Sequence, residues 1–235
     1  MISRAADILR LLGRETGGLS LGQIAKHVEL PRSTVQRIVA ALVGEGFIST
    51  RRGDGGIRLG PEIQSLAQAV SSDMRARLRP VMERLSEATS ETVDLAILEG
   101  ARMLFVDQIE GSHRLRTVSH IGERFPLTTT ANGRAALACM TRDRALALIR
   151  AEHRDRGAYA PPLSDMVAQI DAIRAGDLAH DENEHTDGIC AMGFAVMDQA
   201  GDIFSVSVPV PSSRYDRVKP ALAAAIRAAI ADLES

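Results

Sequence analysis

Two runs of side chains could do chemistry. Arg32, Ser33, Thr34, Gln36 and Arg37 bring guanidinium, hydroxyl and amide groups together within six residues. Such groups hydrogen-bond to base edges and to phosphate oxygens. Arg51 and Arg52 add a second basic point beside the glycine-rich run Gly53-Asp54-Gly55-Gly56. The other run is His180-Asp181-Glu182-Asn183-Glu184-His185-Thr186-Asp187. Its two histidines and several carboxylates match no usual zinc spacing, so it reads first as a solvated acidic loop. No G-x-S-x-G, H-E-x-x-H, P-loop or G-x-G-x-x-G is present, which argues against an enzyme. Cys139 and Cys190 form no C-x-x-C and lie in apolar context, so they read as inert buried thiols in a reducing compartment.

Helices and a hairpin must position the first group. Ala5, Ile8, Leu9 and Leu12 recur at i, i+3, i+4 and i+7, as do Leu21, Ile24, Ala25 and Val28. Ser20-Leu21-Gly22-Gln23 has the form of a capping box at the start of the second helix, and Leu30-Pro31 is expected to end it. A third helix over about Arg32–Glu45 buries Val35, Ile38, Val39 and Leu42 and turns Ser33, Arg37, Ala40 and Gly44 outward, with Gly46 closing it. Phe47–Thr50 and Ile57–Leu59 then read as a short hairpin. Helix, helix-turn-helix and basic hairpin make a winged helix whose third helix suits a major groove.

The chain has 235 residues, 45% hydrophobic and 25% charged, with a net charge of −2, a globular composition that allows two small domains. Charge is unevenly spread: residues 1–60 hold nine basic and five acidic side chains, and the remainder is acidic overall. That asymmetry suggests two domains with different partners. The longest uncharged runs, Gly188–Met197 and Ile203–Ser213, are too short to span a membrane, and an acid at Asp7 precedes any apolar stretch, so no membrane partner and a cytoplasmic location are expected. Beyond the hairpin, Pro61 opens a linker helix over 61–73. An α+β domain over 74–235 follows, with Leu78, Val81, Met82 and Leu85 on one helix, strand pairs at Thr92–Leu98 with Met103–Ile109 and at Gly193–Met197 with Ile203–Val208, and helices beginning near Thr141, at Leu163 and before Val218.

These residues carry a family resemblance. Leu19-Ser20-Leu21-Gly22-Gln23-Ile24-Ala25, Leu30-Pro31-Arg32-Ser33-Thr34-Val35-Gln36-Arg37 and Leu42-Val43-Gly44-Glu45-Gly46-Phe47-Ile48 resemble the winged-helix pattern of the IclR family of bacterial transcription regulators. Arg124-Phe125-Pro126-Leu127 with Asn132-Gly133-Arg134-Ala135-Ala136-Leu137, Gly188-Ile189-Cys190 and Ser207–Arg214 resemble the segments around its ligand pocket. The resemblance implies a GAF-like antiparallel-sheet domain with an effector site, dimerisation or a dimer of dimers on double-stranded operator DNA, and no cofactor. It places Ala131 and Asn132 against the ligand at a helix start, where amides can meet an anion, Asp181 at a pocket-facing acidic position and Ser207 at the first of two pocket serines, the second being Pro209 here. The pocket cysteine position falls on Ala191, with Cys190 one residue earlier and so turned to the other side of the strand. Arg114 and Arg116 edge the same pocket. Either is a surface arginine or an inward partner for a carboxylate. The reading is thus a ligand-responsive DNA-binding regulator, with a small organic acid of a catabolic pathway as its effector; a regulator without ligand response, or a sensor or enzyme module with a non-DNA winged helix, are the alternatives.

Overall fold

A computed structural model describes residues 2–15, 17–50, 56–70, 73–157 and 162–234. The chain divides into two compact units, Met1–Asp73 and Met74–Ser235.

In the first unit the helices α1 (Ile2–Arg14), α2 (Leu21–His27) and α3 (Arg32–Gly44) close on a core of Ile8, Leu12, Ile24, Val35, Ile38 and Val39. Ile48 and Ile57 complete it from β1 (Ile48–Thr50) and β2 (Ile57–Leu59), which pair antiparallel. Leu19 adds an isolated antiparallel bridge to β2 by exchanging backbone hydrogen bonds with Ile57. The capping box is formed: Ser20 Oγ accepts from the Gln23 amide, and Gln23 Oε1 accepts from the Ser20 amide at 2.9 Å. Helix α2 ends earlier than the Leu30-Pro31 signal implied. Glu29 takes a left-handed φ of 51°, and the Leu30 amide donates back to Ala25 at 3.1 Å, which closes the helix before the proline constraint acts. Gly46 (φ 76°) closes α3 in the same way, the Phe47 amide donating to Leu42. Helix α4 (Pro61–Val70) opens on its proline.

The second unit is built on a six-stranded antiparallel sheet in the order β5-β4-β3-β8-β7-β6. The strands are β3 (Val93–Glu99), β4 (Arg102–Ile109), β5 (Arg124–Phe125), β6 (Ala179–Glu182), β7 (Ile189–Met197) and β8 (Ile203–Pro211). Alternation, broken once where β4 bulges between Phe105 and Asp107, assigns their side chains to two cores. Val93, Leu95, Met192, Phe194, Val206 and Val208 pack against α5 (Asp73–Thr89) and α9 (Ser212–Glu234). Ala96, Met103, Phe105 and Ile203 pack against α6 (Ala131–Cys139), α7 (Arg142–Arg156) and α8 (Leu163–Arg174). The sheet is therefore covered on both sides. The run at 180–187 is not the solvated loop expected from its charge: its first part is edge strand β6, which turns Asp181 inward beneath α6 while Glu182 bonds Lys219 of α9.

Candidate functional site

The α3 surface follows from the register of its core. With Val35, Ile38 and Val39 buried, the 3.6-residue period turns Arg32, Ser33, Gln36, Arg37 and Ala40 to solvent, and Thr34 is half-buried. No acid lies in the first turn, and Pro31 at the N-cap offers no side chain to its amides. The helix start therefore presents N–H groups and positive charge outward, which suits a phosphate. Arg51 and Arg52 lie outside the described residues.

In the second unit the start of α6 packs over one face of the sheet and covers a group of buried polar side chains. Along one ladder row Gln108, Asp94, Ser207 and Gly193 stand side by side, and the next row carries Pro209, Ala191 and Asp181. All of these from β3, β6, β7 and β8 point to the α6 face. Cys190 points the other way, into the core shared with α5 and α9, so it is not a pocket residue; Ala191 holds the inward place. Asp94 is 2% exposed and accepts from Gln108 Nε2 at 2.6 Å and Ser119 Oγ at 2.8 Å. Burial pushes its pKa up to about 6 despite those bonds. Asp181 is 5% exposed, and burial pushes it to about 7, against the amides of Glu184 and Ala131 and the Arg134 charge. The anticipated vacant amide at the helix start is thus partly taken, because β6 carries Asp181 within reach of Ala131. Asn132, 4% exposed, has an Nδ2 with no hydrogen-bond partner.

The Asn132-Gly133-Arg134 run has one structural task per residue. Gly133 allows α6 to touch the preceding segment: a Cβ there would lie 2.4 Å from Leu127 Cα. Thr130 caps the helix, its Oγ1 accepting from the Gly133 amide at 3.1 Å. Arg134 is the inward arginine, 1% exposed, donating to Thr128 O, His180 O and both carboxylate oxygens of Glu184. Arg114 and Arg116 are instead exposed, and Arg116 bonds Glu110 at 2.8 Å. Glu152 of α7 holds the Leu127 amide at 2.7 Å and both donors of Thr128. On the opposite wall Thr117 donates to Pro209 O at 3.1 Å and Thr92 donates to Thr117 O at 2.7 Å. The sequence reading missed Asp94, Arg134, Glu152 and Glu184. A charged residue inside the apolar run Val93–Leu98 was the available signal for Asp94; Arg134 and Glu184 are 50 residues apart and gave none.

A separate groove of about 450 Å³ opens beside the part of β7 that β6 leaves unpaired, between Ala138, Cys139, Arg174, Phe194, Arg227 and Ile230. Among the described residues no cluster of His, Cys, Asp and Glu could hold a metal, and no helix is long and apolar enough to cross a membrane.

A winged helix-turn-helix unit followed by an antiparallel sheet packed with helices on both faces defines a DNA-binding regulator with a second, effector-type domain. Residues 1–52 match the IclR helix-turn-helix domain, and residues 66–235 match the C-terminal domain of bacterial IclR transcriptional regulators. The chain belongs to the IclR family, whose members are transcription regulators rather than enzymes. It is 38% identical to HTH-type transcriptional regulator Rv1719 of Mycobacterium tuberculosis, over all of this chain and 91% of that one. It is 35% identical to HTH-type transcriptional regulator TtgV of Pseudomonas putida, over 94% and 87% of the two chains. The fold is shared with an IclR homologue from Microbacterium hydrocarbonoxydans complexed with 4-hydroxybenzoate, at a TM-score of 0.74 and 21% identity, covering 99% of this chain and 97% of that one.

Proposed function

We propose that this regulator binds operator DNA through the outer face of α3 and is released or retained there by a small organic effector held between α6 and the sheet. Arg32, Ser33, Thr34, Gln36 and Arg37 meet bases and nearby phosphates, and Arg51 and Arg52 grip the backbone or minor groove. Ala131, Asn132, Asp181, Ala191, Ser207 and Pro209 bound the effector. One winged helix reads few base pairs, so a symmetric dimer or pair of dimers on two half-sites completes the reading. The observation that carries the effector site is Asn132: a buried amide donor without a partner, above a floor of small residues, is costly unless something occupies it. An organic acid remains the expected class, supported by the 4-hydroxybenzoate that the Microbacterium homologue holds.

Fluorescence anisotropy on DNA from the protein's own upstream region tests both halves. Arg37→Ala weakens binding by about 1–3 kcal/mol and flattens base preference. Wild-type affinity falls with salt at a log–log slope of roughly −0.9 per neutralised phosphate. Equal binding by wild type and Arg37→Ala removes the α3 assignment, and a broad metabolite panel without effect on DNA binding removes the effector.

A further inference from the structure

Strand β7 is longer than its edge partner. β6 accompanies it only from Cys190 to Gly193, and Phe194–Met197 continue with β8 on one side alone among the described residues. Bonded pairs alternate along an antiparallel ladder, which decides the backbone groups left facing out. The Asp198 amide donates to Asp202 O at 2.9 Å, so even-numbered residues of β7 bond β8. The Asn183 amide donates to Ile189 O at 3.2 Å, so odd-numbered residues turn to the β6 side. Ala195 and Met197 therefore offer N–H and C=O to an edge where no described strand lies. That edge is sunk between two walls. Ala138, Cys139 and Ile173 stand on the α6–α8 side, Arg227 and Ile230 on α9. The space between them, about 450 Å³, is where β6 would run if it began earlier.

Charge marks one end of this slot. Arg227 donates to Gly176 O at 3.0 Å and has no ion-pair partner among the described residues. Arg174 shares Asp171 with Arg142 and donates to carbonyls that end α6. Asp177 is the acid among the lining residues, against these two arginines. The positive end thus lies beside the link from α8 into β6. The other end opens at Met197, which is 48% exposed.

We infer that the slot takes the C-terminal segment of another polypeptide, extended, antiparallel to β7 and pointing at the start of β6. Its main chain pairs with Ala195 and Met197, and its terminal carboxylate meets Arg227. Three residues at about 3.3 Å each match the stretch from Ala195 to Met197. Strand addition at an open edge supplies main-chain hydrogen bonds, and an arginine without an acidic partner supplies a charge-assisted one. The mouth at Met197 lets the rest of the bound chain leave. A second copy of this protein is a poor occupant, because its own β7 edge is sunk equally deep between helices. Ala138, Ile173, Phe194 and Ile230 line the slot, so small apolar side chains suit the bound residues. The slot borders the C-terminal half of α6, away from Ala131 and Asn132, and is independent of the effector reading.

Calorimetry on the full-length protein tests this with four probes. They are acetyl-Ala-Val-Ala as the free acid, its carboxamide, the acid N-methylated at its last amide, and acetyl-alanine. The free acid is expected to bind at least tenfold more tightly than each of the others. It should also slow alkylation of Cys139, half-buried in the wall, by at least threefold. Arg227→Gln brings acid and carboxamide to within threefold of one another. Ala195→Pro removes the outward N–H without taking a bond from β8, and loses binding of the acid. Should that variant misfold, the N-methylated probe makes the same point on wild type. Equal binding of acid and carboxamide, acetyl-alanine as tight as the tripeptide, or no binding by any probe overturns the proposal. So does an oligomer that Ala195→Pro splits while no probe binds, since a second copy then fills the slot.

Discussion

Arg134 and Glu184 carry an unequal burial: the guanidinium is 1% exposed and the carboxylate side chain 33%. Removing the carboxylate therefore strands a buried cation, whereas a stranded Glu184 could turn to water. Losing one partner of a buried pair costs several kcal/mol, less when the pair is partly solvated. Glu184→Ala is expected to lower unfolding free energy by roughly 1–3 kcal/mol in urea titration, with Glu184→Gln losing less because its amide oxygen still accepts. Asp94 gives a prediction of opposite flavour. Its folded pKa of about 6 lies above the ordinary carboxylate value, so the folded state holds the proton more tightly than the unfolded chain. Its stabilising contribution is whole below about pH 4 and is lost as pH rises toward 6 and beyond, on the order of 2–3 kcal/mol. Chemical denaturation at pH 5 and pH 7.5 should show Asp94→Asn losing less stability over that interval than wild type. An unchanged difference between the two proteins would rule out a buried, proton-holding Asp94.

At the scale of elements, α2 is closed by a residue poorly suited to the task. Glu29 is exposed and left-handed, a backbone that costs an L-residue roughly 1–2 kcal/mol and glycine almost nothing. Glu29→Gly is therefore expected to stabilise the first unit by about 0.5–1 kcal/mol, net of the extra entropy glycine brings to the unfolded chain, seen as a higher midpoint in thermal unfolding. The winged helix was legible in the sequence because its signals are local: a stripe fixes each helix and a cap fixes each end. Expected and observed bounds agree for α3, where Gly46 marks the close. They part at α2, since a Schellman closure on glutamate leaves no compositional mark. In the second unit the hairpins β3–β4 and β7–β8 and the helices at Thr141 and Leu163 could be read. Strand β6 could not, because His-Asp-Glu has poor strand propensity and its alternation shows only once Ala191 and α6 stand opposite it. The buried residues under α6 come from β3, β6, β7, β8 and α6 itself, and pairing between strands that far apart in sequence is invisible to any local pattern. Asp181 was found through resemblance, Asp94 not at all.

For the whole molecule, each unit has a core of its own, and charge is sorted with them: positive overall in residues 1–60, negative beyond. The unit meant for a polyanion thus keeps its attraction while the remainder discourages non-specific contact with the same polymer. In the second unit strand β8 outruns its neighbour. β3 pairs with it only as far as Asp94 opposite Ser207, and two residues later comes Pro209, which has no N–H to give. Its carbonyl meets Thr117 Oγ1 on that side, so past the Ser112 amide, which donates to Ser90 O, the 113–119 stretch is held by side chains: Thr117 to Pro209, Thr92 to Thr117 O, Ser119 to Asp94, and Arg214 to Leu115 O. A seam stitched by side chains can part without unzipping a strand. Deuterium should accordingly enter the amides of 113–119 well before those of β8, and equal protection of the two would show the seam to be as firm as a ladder.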